Sequence, residues 1–203
     1  MTKREAILAA ATELFALKSY KGTAVSEIAE MAEVAQGTIF HHFKTKENLL
    51  ISICDELVQD YITGISLAAE GPGSGWEALE RVLVFNQEFK RRRQKAIAVA
   101  FRETGDLSRA EGEIREHFCR LLSQIIALKS QCLEKGISDG SIQPVPVEIT
   151  ALLLHFLLVG KFHIEAEGLL EIPELDSELL EFCKRSLVPV KSEYLSSAVN
   201  SGG

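Results

Sequence analysis

Cysteine, proline and aromatic residues are all scarce in this chain of 203 residues. It has four cysteines, five prolines and 7% aromatic residues. The cysteines lie far apart and none of them forms a Cys-x-x-Cys pair, so the sequence indicates neither a disulfide framework nor a zinc site of paired cysteines. We therefore expect a reducing compartment, with unpaired and mostly buried thiols at Cys54, Cys119, Cys132 and Cys183.

Long hydrophobic runs are also lacking. The longest uncharged apolar stretch, residues 149–160, is interrupted by His155. At about 1.5 Å per residue it is too short for a bilayer core of about 30 Å. Residues 1–5 include an acidic side chain and run directly into an amphipathic pattern, so no signal peptide is predicted. We expect a cytoplasmic protein that makes no contact with a membrane.

Signatures of catalysis and of cofactor binding are missing too. The sequence has no glycine-rich phosphate loop, no Gly-x-Ser-x-Gly elbow and no His-Glu-x-x-His helix. The histidines at positions 117, 155 and 163 lack the neighbours of a tetrahedral metal site, which favours structural or pocket-lining roles for them. We expect no cofactor, no metal and no enzymatic activity.

Positive charge is in deficit over the whole chain but not at its N-terminal end. The 22 Lys and Arg residues stand against 29 Asp and Glu residues, a net charge of −7. Residues 1–50 hold six of each sign, so residues 51–203 carry the whole acidic excess. A phosphate-binding surface is therefore expected near the N-terminus, and a basic coat over the whole surface is disfavoured.

Helical periodicity is what the chain has in abundance, with apolar residues recurring at three- and four-residue steps. The predicted fold class is all-α, with about nine helices, two of which are residues 76–89 and 97–101. Glycines between positions 71 and 75 form the clearest break. We predict a three-helix helix-turn-helix domain at residues 1–46 and a larger helical domain for ligand binding and dimerisation at residues 47–203.

Two short helices joined by a tight turn at residues 33–35 fit a helix-turn-helix. We expect Thr23 to cap the first of these helices with its side chain. The second helix, residues 36–43, is predicted to have an apolar face that points inward and a polar face that points outward. Its inward residues are expected to be Ile39, Phe40 and Phe43.

The outward face of this second helix has the chemistry needed to read DNA. Gln36 can donate and accept hydrogen bonds at base edges in the major groove, and Gly37 allows the helix to approach DNA closely. Thr38, His41 and Lys46 can reach phosphates. The helix that begins near residue 46 adds N–H groups at the positive end of its dipole, where an anion binds favourably.

Residues 3–50 resemble a known family in register across four helices. The matching positions are Lys3, Arg4, Glu5, Ile7, Leu8, Ala10, Ala11, Leu14, Phe15, Gly22, Thr23, Val25, Ile28, Ala29, Gly37 to Glu47, Leu49 and Leu50. They closely resemble the TetR family of bacterial transcriptional regulators. The resemblance implies a homodimer that binds a palindromic operator on double-stranded DNA, usually represses, and is released by a small-molecule effector, here unidentified. With His42 added from the outward face, the predicted DNA-binding residues are Thr23, Gln36, Gly37, Thr38, Phe40, His41, His42 and Lys46.

Three residues depart from the usual pattern of that family. Glu33 replaces a glycine in the turn, where a positive φ would cost a non-glycine residue about 1 kcal/mol. Ala35 replaces a serine and removes a helix cap that is worth about 1 kcal/mol. Phe40 replaces a tyrosine and offers no hydroxyl to a phosphate. We expect weaker phosphate anchoring, partly replaced by histidines whose charge depends on pH.

Two clusters also have plainer interpretations. His41 and His42 could bind a metal, but adjacent helical residues point about 100° apart, so a place beside DNA or an idle surface is favoured. The basic run at residues 90–93 could be a second nucleic-acid patch. We favour a solvated helix end, where positive charge complements the helix dipole.

The resemblance further implies a ligand cavity among the central helices. Aromatic side chains there are candidates for its wall, although core packing is the commoner role for any one of them. Three polar side chains are expected to orient a ligand, namely those of Glu88, Arg102 and His117. The predicted ligand-binding residues are Trp76, Phe85, Glu88, Phe89, Phe101, Arg102, His117, Phe118 and Phe156.

The last two helices carry more apolar surface than one domain core needs. This excess predicts an isologous dimer packed as a four-helix bundle, in which Gly160 permits close backbone approach. Burial within a single chain is the alternative. The predicted interface residues are Leu153, Phe156, Leu157, Gly160, Leu179, Phe182 and Cys183.

Two other functions stay open on the sequence. A helical small-molecule-binding or catalytic protein could retain a vestigial DNA-binding motif, and the departures at Ala35 and Phe40 leave that minor alternative open. An activator would differ from a repressor only in the position of its operator relative to a promoter. The main hypothesis is a dimeric repressor whose helix at residues 46–69 joins the DNA-binding head to the sensor domain as a lever.

Overall fold

The computed structural model describes residues 1–107, 112–166, 168–169, 172 and 174–190. Within those residues the chain forms eight helices and no strand, which confirms the prediction of an all-α fold. The helices are α1 (Lys3–Lys18), α2 (Val25–Met31), α3 (Gln36–Phe43), α4 (Lys46–Ala69), α5 (Gly75–Leu107), α6 (Glu113–Asp139), α7 (Val147–Ala166) and α8 (Leu175–Leu187).

Two hydrophobic cores hold these helices together. The first lies among α1 to α4 and also takes Phe89 from α5 and Phe162 from α7. The second lies among α4 to α8, around residues such as Leu79. The first turn of α4 contributes the fully buried Leu49 to the first core. Because α4 and α5 contribute to both cores, they connect the N-terminal helices to the rest of the molecule.

The N-terminal helices are capped by two different devices. A capping box between Thr2 and Glu5 begins α1. The N-cap of α2 is Ala24, and its backbone N–H donates to the Glu27 carboxylate at 2.8 Å. Thr23 is buried instead, and its hydroxyl donates to the carbonyl of Ser19 at 2.8 Å. The predicted cap at Thr23 is therefore wrong, because the helix begins one residue later.

The turn between α2 and α3 places a non-glycine residue in the left-handed backbone conformation, which costs free energy. Glu33 has a φ of 53°, in the left-handed region that favours glycine. Ala35 is the N-cap of α3 and makes no side-chain capping bond. Ile39 and Phe43 are buried beneath α3 as predicted, but Phe40 is 42% exposed. Its predicted inward position is wrong, because it lies about 100° around the helix from Ile39.

α5 is one kinked helix where the sequence predicts two. Arg93 leaves the helical region, with φ −116° and ψ 18°, so the described chain has eight helices rather than about nine. The basic run at residues 90–93 ends the first of the two helical segments that meet at this kink, in agreement with the predicted helix end. Lys90 Nζ is 2.8 Å from Glu165 Oε2, and Arg93 Nη2 is 3.1 Å from Asp60 Oδ2. These ion pairs join α5 to α7 and α4.

α7 has an inner and an outer apolar face. The inner face buries Ala151, Leu154 and Leu158 in the second core. The outer face leaves Leu153 and Phe156 more than half exposed. Of the described helices, α7 alone is long and apolar enough to cross a bilayer, a test that core helices of water-soluble proteins also pass.

Candidate nucleic-acid interface and ligand cavity

The outward face of α3 is the candidate nucleic-acid interface. Gln36, Gly37, His41 and His42 are exposed, and Thr38 is half-buried. A Cβ built at Gly37 would meet no atom within 4 Å, so the backbone there borders open space. In a recognition helix the N-terminal residues contact base edges. The geometry therefore leaves this end of α3 unobstructed for an approach to a groove.

Two side chains predicted to bind DNA do not extend from this face. Thr23 is buried, as described above, and its hydroxyl is used by backbone carbonyls. Lys46 Nζ lies 4.4 Å from the centre of the Tyr20 ring, a cation–π contact. Burial lowers the pKa of Lys46, and the nearby Glu103 carboxylate opposes that effect. The prediction for Thr23 needs correction, because its buried hydroxyl is already used. Lys46 is half-buried beside Tyr20, and its DNA contact stays a prediction.

The last described turns of α5 form hydrogen bonds with the C-terminal end of α1 and with the turn that follows it. Arg102 Nη1 donates to the carbonyl of Ala16 at 3.1 Å, and the backbone N–H of Tyr20 donates to Glu103 Oε1 at 3.1 Å. The Glu103 side chain is buried. Arg102 is predicted to orient a ligand, but the structure places it at this joint. The joint connects the sensor part of the chain directly to the DNA-binding head.

A small apolar cavity of about 200 Å³ lies between α4, α5, α6 and α7. Phe89 and Phe101 form part of its wall, as predicted. The full lining is Leu57, Val58, Tyr61, Phe89, Ile97, Ala100, Phe101, Ile125, His155, Leu158, Val159 and Phe162. A wider depression of about 510 Å³ between α1, α4 and α5 has charged walls, in which Glu13 already pairs with Lys95. The apolar cavity is therefore the better candidate for a small molecule.

Four aromatic residues predicted to bind a ligand lie away from this cavity. Trp76 is buried in the second core. Phe85 packs against Gly64, where a Cβ would come within 2.0 Å of its ring. Phe118 packs against the first core, and Phe156 lies on the outer face of α7. An apolar helical stripe does not reveal which helix it faces, so their distance from this cavity could not be read from the sequence, and a ligand contact for them stays a prediction.

The polar residues predicted for the ligand are also bound elsewhere. Glu88 forms an exposed ion pair with Arg91. His117 Nε2 lies 2.6 Å from Asp55 Oδ1, which links α6 to α4. Arg102 belongs to the α1–α5 joint. The direction in which each of these side chains points depends on its bonding partner, and a single sequence does not reveal that partner.

Three polar groups beside the cavity come to light only in the structure. The Tyr61 hydroxyl donates to Asn86 Oδ1 at 2.7 Å, and burial raises the pKa of that phenol. His155 lies in the cavity wall, in agreement with the structural or pocket-lining role expected of it. Its Nδ1 is 3.4 Å from the Nζ of Lys129, a fully buried lysine of α6. In the sequence, the one sign of this group was that Lys129 falls among the apolar residues of the buried face of α6.

An apolar face on α7 and α8 remains uncovered in the single chain. Its exposed members include Leu153, Phe156, Leu157 and Phe182. Gly160 lies among them with open space where a Cβ would be. Cys183 is buried in the second core, and Leu179 packs against that core. Two of the seven residues predicted for a dimer interface therefore contribute mainly to the interior.

A three-helix head with an open recognition helix, joined by α4 and α5 to a helical body with an apolar cavity, defines a class of protein. It is a helix-turn-helix DNA-binding protein with a ligand-binding domain. A family model for bacterial regulatory proteins, tetR family, matches residues 7–53. The N-terminal head is therefore that of the tetR family of bacterial regulatory proteins.

The similarity to two other regulators extends beyond the head. The HTH-type transcriptional regulator YhgD of Bacillus subtilis, itself uncharacterized, is 29% identical over 158 residues, which cover 78% of this chain and 81% of the relative. The fatty acid metabolism regulator protein of Bacillus subtilis is 29% identical over 140 residues, which cover 68% and 69% of the two chains. The similarity therefore continues into the helical body.

Solved structures share the whole fold. A tetR-family regulatory protein from Rhodococcus RHA1 has a TM-score of 0.76 at 20% identity, covering 94% of this chain and all of that one. AibR, solved in complex with isovaleryl coenzyme A and operator DNA, has a TM-score of 0.70 at 19% identity, covering 93% and 100%. These likenesses establish the arrangement of the helices.

Proposed function

We propose that this chain represses transcription as a homodimer on a palindromic operator and leaves the operator when a small molecule enters the apolar cavity. The observation that carries the proposal is the unobstructed N-terminal end of α3, with Gln36 and Gly37 at the surface. Operators lie on chromosomal DNA, which places the protein in the cytoplasm.

Base reading is assigned to the first turn of α3. A glutamine can form two hydrogen bonds to one base edge in the major groove, which suits Gln36. The missing side chain at Gly37 permits close approach, and Thr38, His41 and His42 flank the contact with polar atoms. Exposed Phe40 offers apolar contact in place of a hydroxyl. Each phosphate neutralised by the dimer adds about −0.9 to the slope of log affinity against log salt concentration.

Dimerisation is assigned to the uncovered face of α7 and α8. Exposed Leu153, Phe156 and Phe182 form an apolar surface that a second copy can bury by two-fold symmetry. Gly160 offers a place of close backbone approach. Two recognition helices must then lie about 34–36 Å apart to enter successive major grooves on one side of the DNA.

Release is assigned to α4 and α5, which connect the cavity to the head. A ligand can shift the protein off DNA only if it binds more tightly to a state in which the recognition helices have the wrong spacing. Leu57 and Tyr61 of α4 and Phe89 and Phe101 of α5 line the cavity. The same helices contribute Leu49 and the Glu103 contact to the head. The neighbour AibR was solved with isovaleryl coenzyme A and operator DNA, which supports a regulator that responds to an effector; the apolar character proposed for the effector here rests on the cavity wall alone.

Substitutions at Gly37 test the DNA-binding face. A leucine at position 37 projects into open space, so the fold and the dimer should be unaffected, while the helix can no longer approach bases closely. We expect Gly37→Leu to weaken operator binding about 100-fold, the equivalent of one or two bidentate base contacts. Footprinting on DNA upstream of the protein's own gene identifies the operator, and gel shifts then measure affinity.

Gly37→Ala is the matched control, because it adds one methyl group and improves helix propensity by about 1 kcal/mol. We expect it to retain binding within a few-fold of the original chain. If Gly37→Leu bound the footprinted site as tightly as the unmodified protein, α3 would not be the reading helix.

A further inference from the structure

Lys129 is a buried cation without a buried counter-charge. Its side chain is fully buried on α6, and no carboxylate oxygen lies within 4 Å of it in the described parts of the chain. The other buried lysine, Lys161 of α7, has two such partners: its Nζ is 3.0 Å from Glu165 and 2.6 Å from Asp176. Buried charges in proteins are normally paired. Lys129 is the exception, so it requires an explanation.

His155 connects this cation to the cavity. Lys129 Nζ lies 3.4 Å from His155 Nδ1, and the His155 ring forms part of the cavity wall. Ile125, which also lines the cavity, precedes Lys129 by one helical turn on the same face of α6. The imidazole is therefore a polar point in a mostly apolar wall, and the ammonium group lies directly behind it.

The electrostatics of this end favour an anion. Burial lowers the pKa of Lys129 to about 7. Burial, and then the charge of Lys129, lower the pKa of His155 to about 4, so the imidazole is neutral near pH 7. When Nδ1 accepts from Lys129, the proton of the neutral ring resides on Nε2, which becomes a donor. The other titratable side chain in the wall is Tyr61 on α4, and the α5 wall is apolar.

We propose that the cavity binds a small apolar carboxylic acid, with its carboxylate accepting from His155 Nε2, the Lys129 ammonium group behind that ring, and its hydrocarbon part among the aromatic side chains. The proposal rests on the effector site of the proposed function and names the chemical class of that effector. A carboxylate supplies the counter-charge that Lys129 lacks. A neutral acyl group, such as a thioester or amide, supplies only an acceptor oxygen.

The size of the cavity limits the acid. An engineered apolar cavity of about 150 Å³ takes up benzene, and this one measures about 200 Å³. The space therefore suits one ring or a short branched chain together with a carboxylate. Phenylacetate and isovalerate are suitable probes, and their amides are neutral controls of nearly the same shape.

Calorimetric titration of the full-length protein with each acid and its amide tests the proposal. One pH unit below the Lys129 pKa of about 7, we expect at least one of the two acids to bind at least tenfold more tightly than its amide. Above that pKa the lysine must take up a proton when the acid binds, so affinity for the acid should fall about tenfold per pH unit. Affinity for the amide should stay constant.

Lys129→Met removes the ammonium group while filling a similar volume. The variant should fold at least as well as the original chain, because an unpaired buried charge is lost. We expect the acid to lose at least tenfold in affinity and the amide to bind as before. Lys135→Met is the matched control, since Lys135 is exposed on the same helix. It should preserve the preference for the acid.

Three results would each overturn the proposal: equal affinity for acid and amide, an undiminished preference for the acid in Lys129→Met, or no binding of either acid at millimolar concentration. Gel shifts on the footprinted operator are scored separately. If the acid binds but no operator is found, the proposed function is refuted and the acid site stands. If the protein binds an operator but neither acid, the acid site is refuted and DNA binding stands.

Discussion

The backbone at Glu33 is a point of local strain in the DNA-binding head. Its φ of 53° lies where a side chain costs about 1–2 kcal/mol and glycine costs nothing. Glycine in turn loses about 0.5–1 kcal/mol through the greater freedom of the unfolded chain. We therefore expect Glu33→Gly to raise the free energy of unfolding by about 0.5–1 kcal/mol, measured by urea denaturation.

Glu30→Gly is the control, because it should change the free energy of unfolding in the opposite direction. Glu30 is exposed within α2, where the backbone is helical, so glycine should lower the free energy of unfolding by about 0.5–1 kcal/mol. A Glu33→Gly protein that lost stability like this control would show that the left-handed backbone at position 33 is not the source of strain.

Sequence reasoning at this scale succeeds where local chemistry decides and fails where a distant partner decides. The positive φ at Glu33 follows from the turn alone, and the exposure of Gln36 and Gly37 follows from the apolar pattern of α3. The Lys46 side chain contacts the Tyr20 ring and lies near Glu103, a residue far along the chain. No local pattern contains that information.

At the scale of the element, the α1–α5 joint is a direct contact between the sensor and the head, in addition to the continuous helix α4. Glu103 accepts a hydrogen bond from the backbone N–H of Tyr20 in a buried setting. A hydrogen bond to a charged group contributes about 1.5–3 kcal/mol. We expect Glu103→Ala to lower the free energy of unfolding by that amount in urea denaturation, and Glu103→Gln, which keeps an acceptor oxygen, to lose less.

The ion pair between Glu13 and Lys95 is the matched control, because it joins the same two helices at an exposed position. Exposed pairs are worth under about 1 kcal/mol, so Glu13→Gln should change stability little. If Glu103→Ala were equally mild, the joint would be a passive contact. The kink of α5 at Arg93 belongs to this scale too: the sequence predicts separate helices at residues 76–89 and 97–101, and the structure joins them across one non-helical residue, at a site without proline or glycine.

At the scale of the whole molecule, the exposed apolar face of α7 and α8 needs a covering. The excess of apolar residues predicted such a face from the sequence, while the burial of Cys183 in the second core could be assigned only from the structure. The periodicity of a helix with apolar residues on nearly all sides indicates that two faces are buried. It does not indicate which residues belong to which face.

A charge in this face tests the dimer and its link to DNA together. Phe156→Glu places two like charges near each other across a two-fold axis, in a surface that must otherwise lose its water. We expect a folded monomer by light scattering. The monomer should lose binding to the full palindrome, because only a dimer holds two recognition helices at the spacing of one DNA turn.

Leu67→Glu is the control for adding a charge to an exposed leucine, since Leu67 lies on α4 outside the predicted interface. It should remain dimeric and bind the operator. A Phe156→Glu protein that stayed dimeric would move the interface to another surface. One that became monomeric yet bound the palindrome with unchanged affinity would separate DNA binding from dimerisation, because a single α3 would then supply all of the contacts that the two-fold arrangement is expected to share.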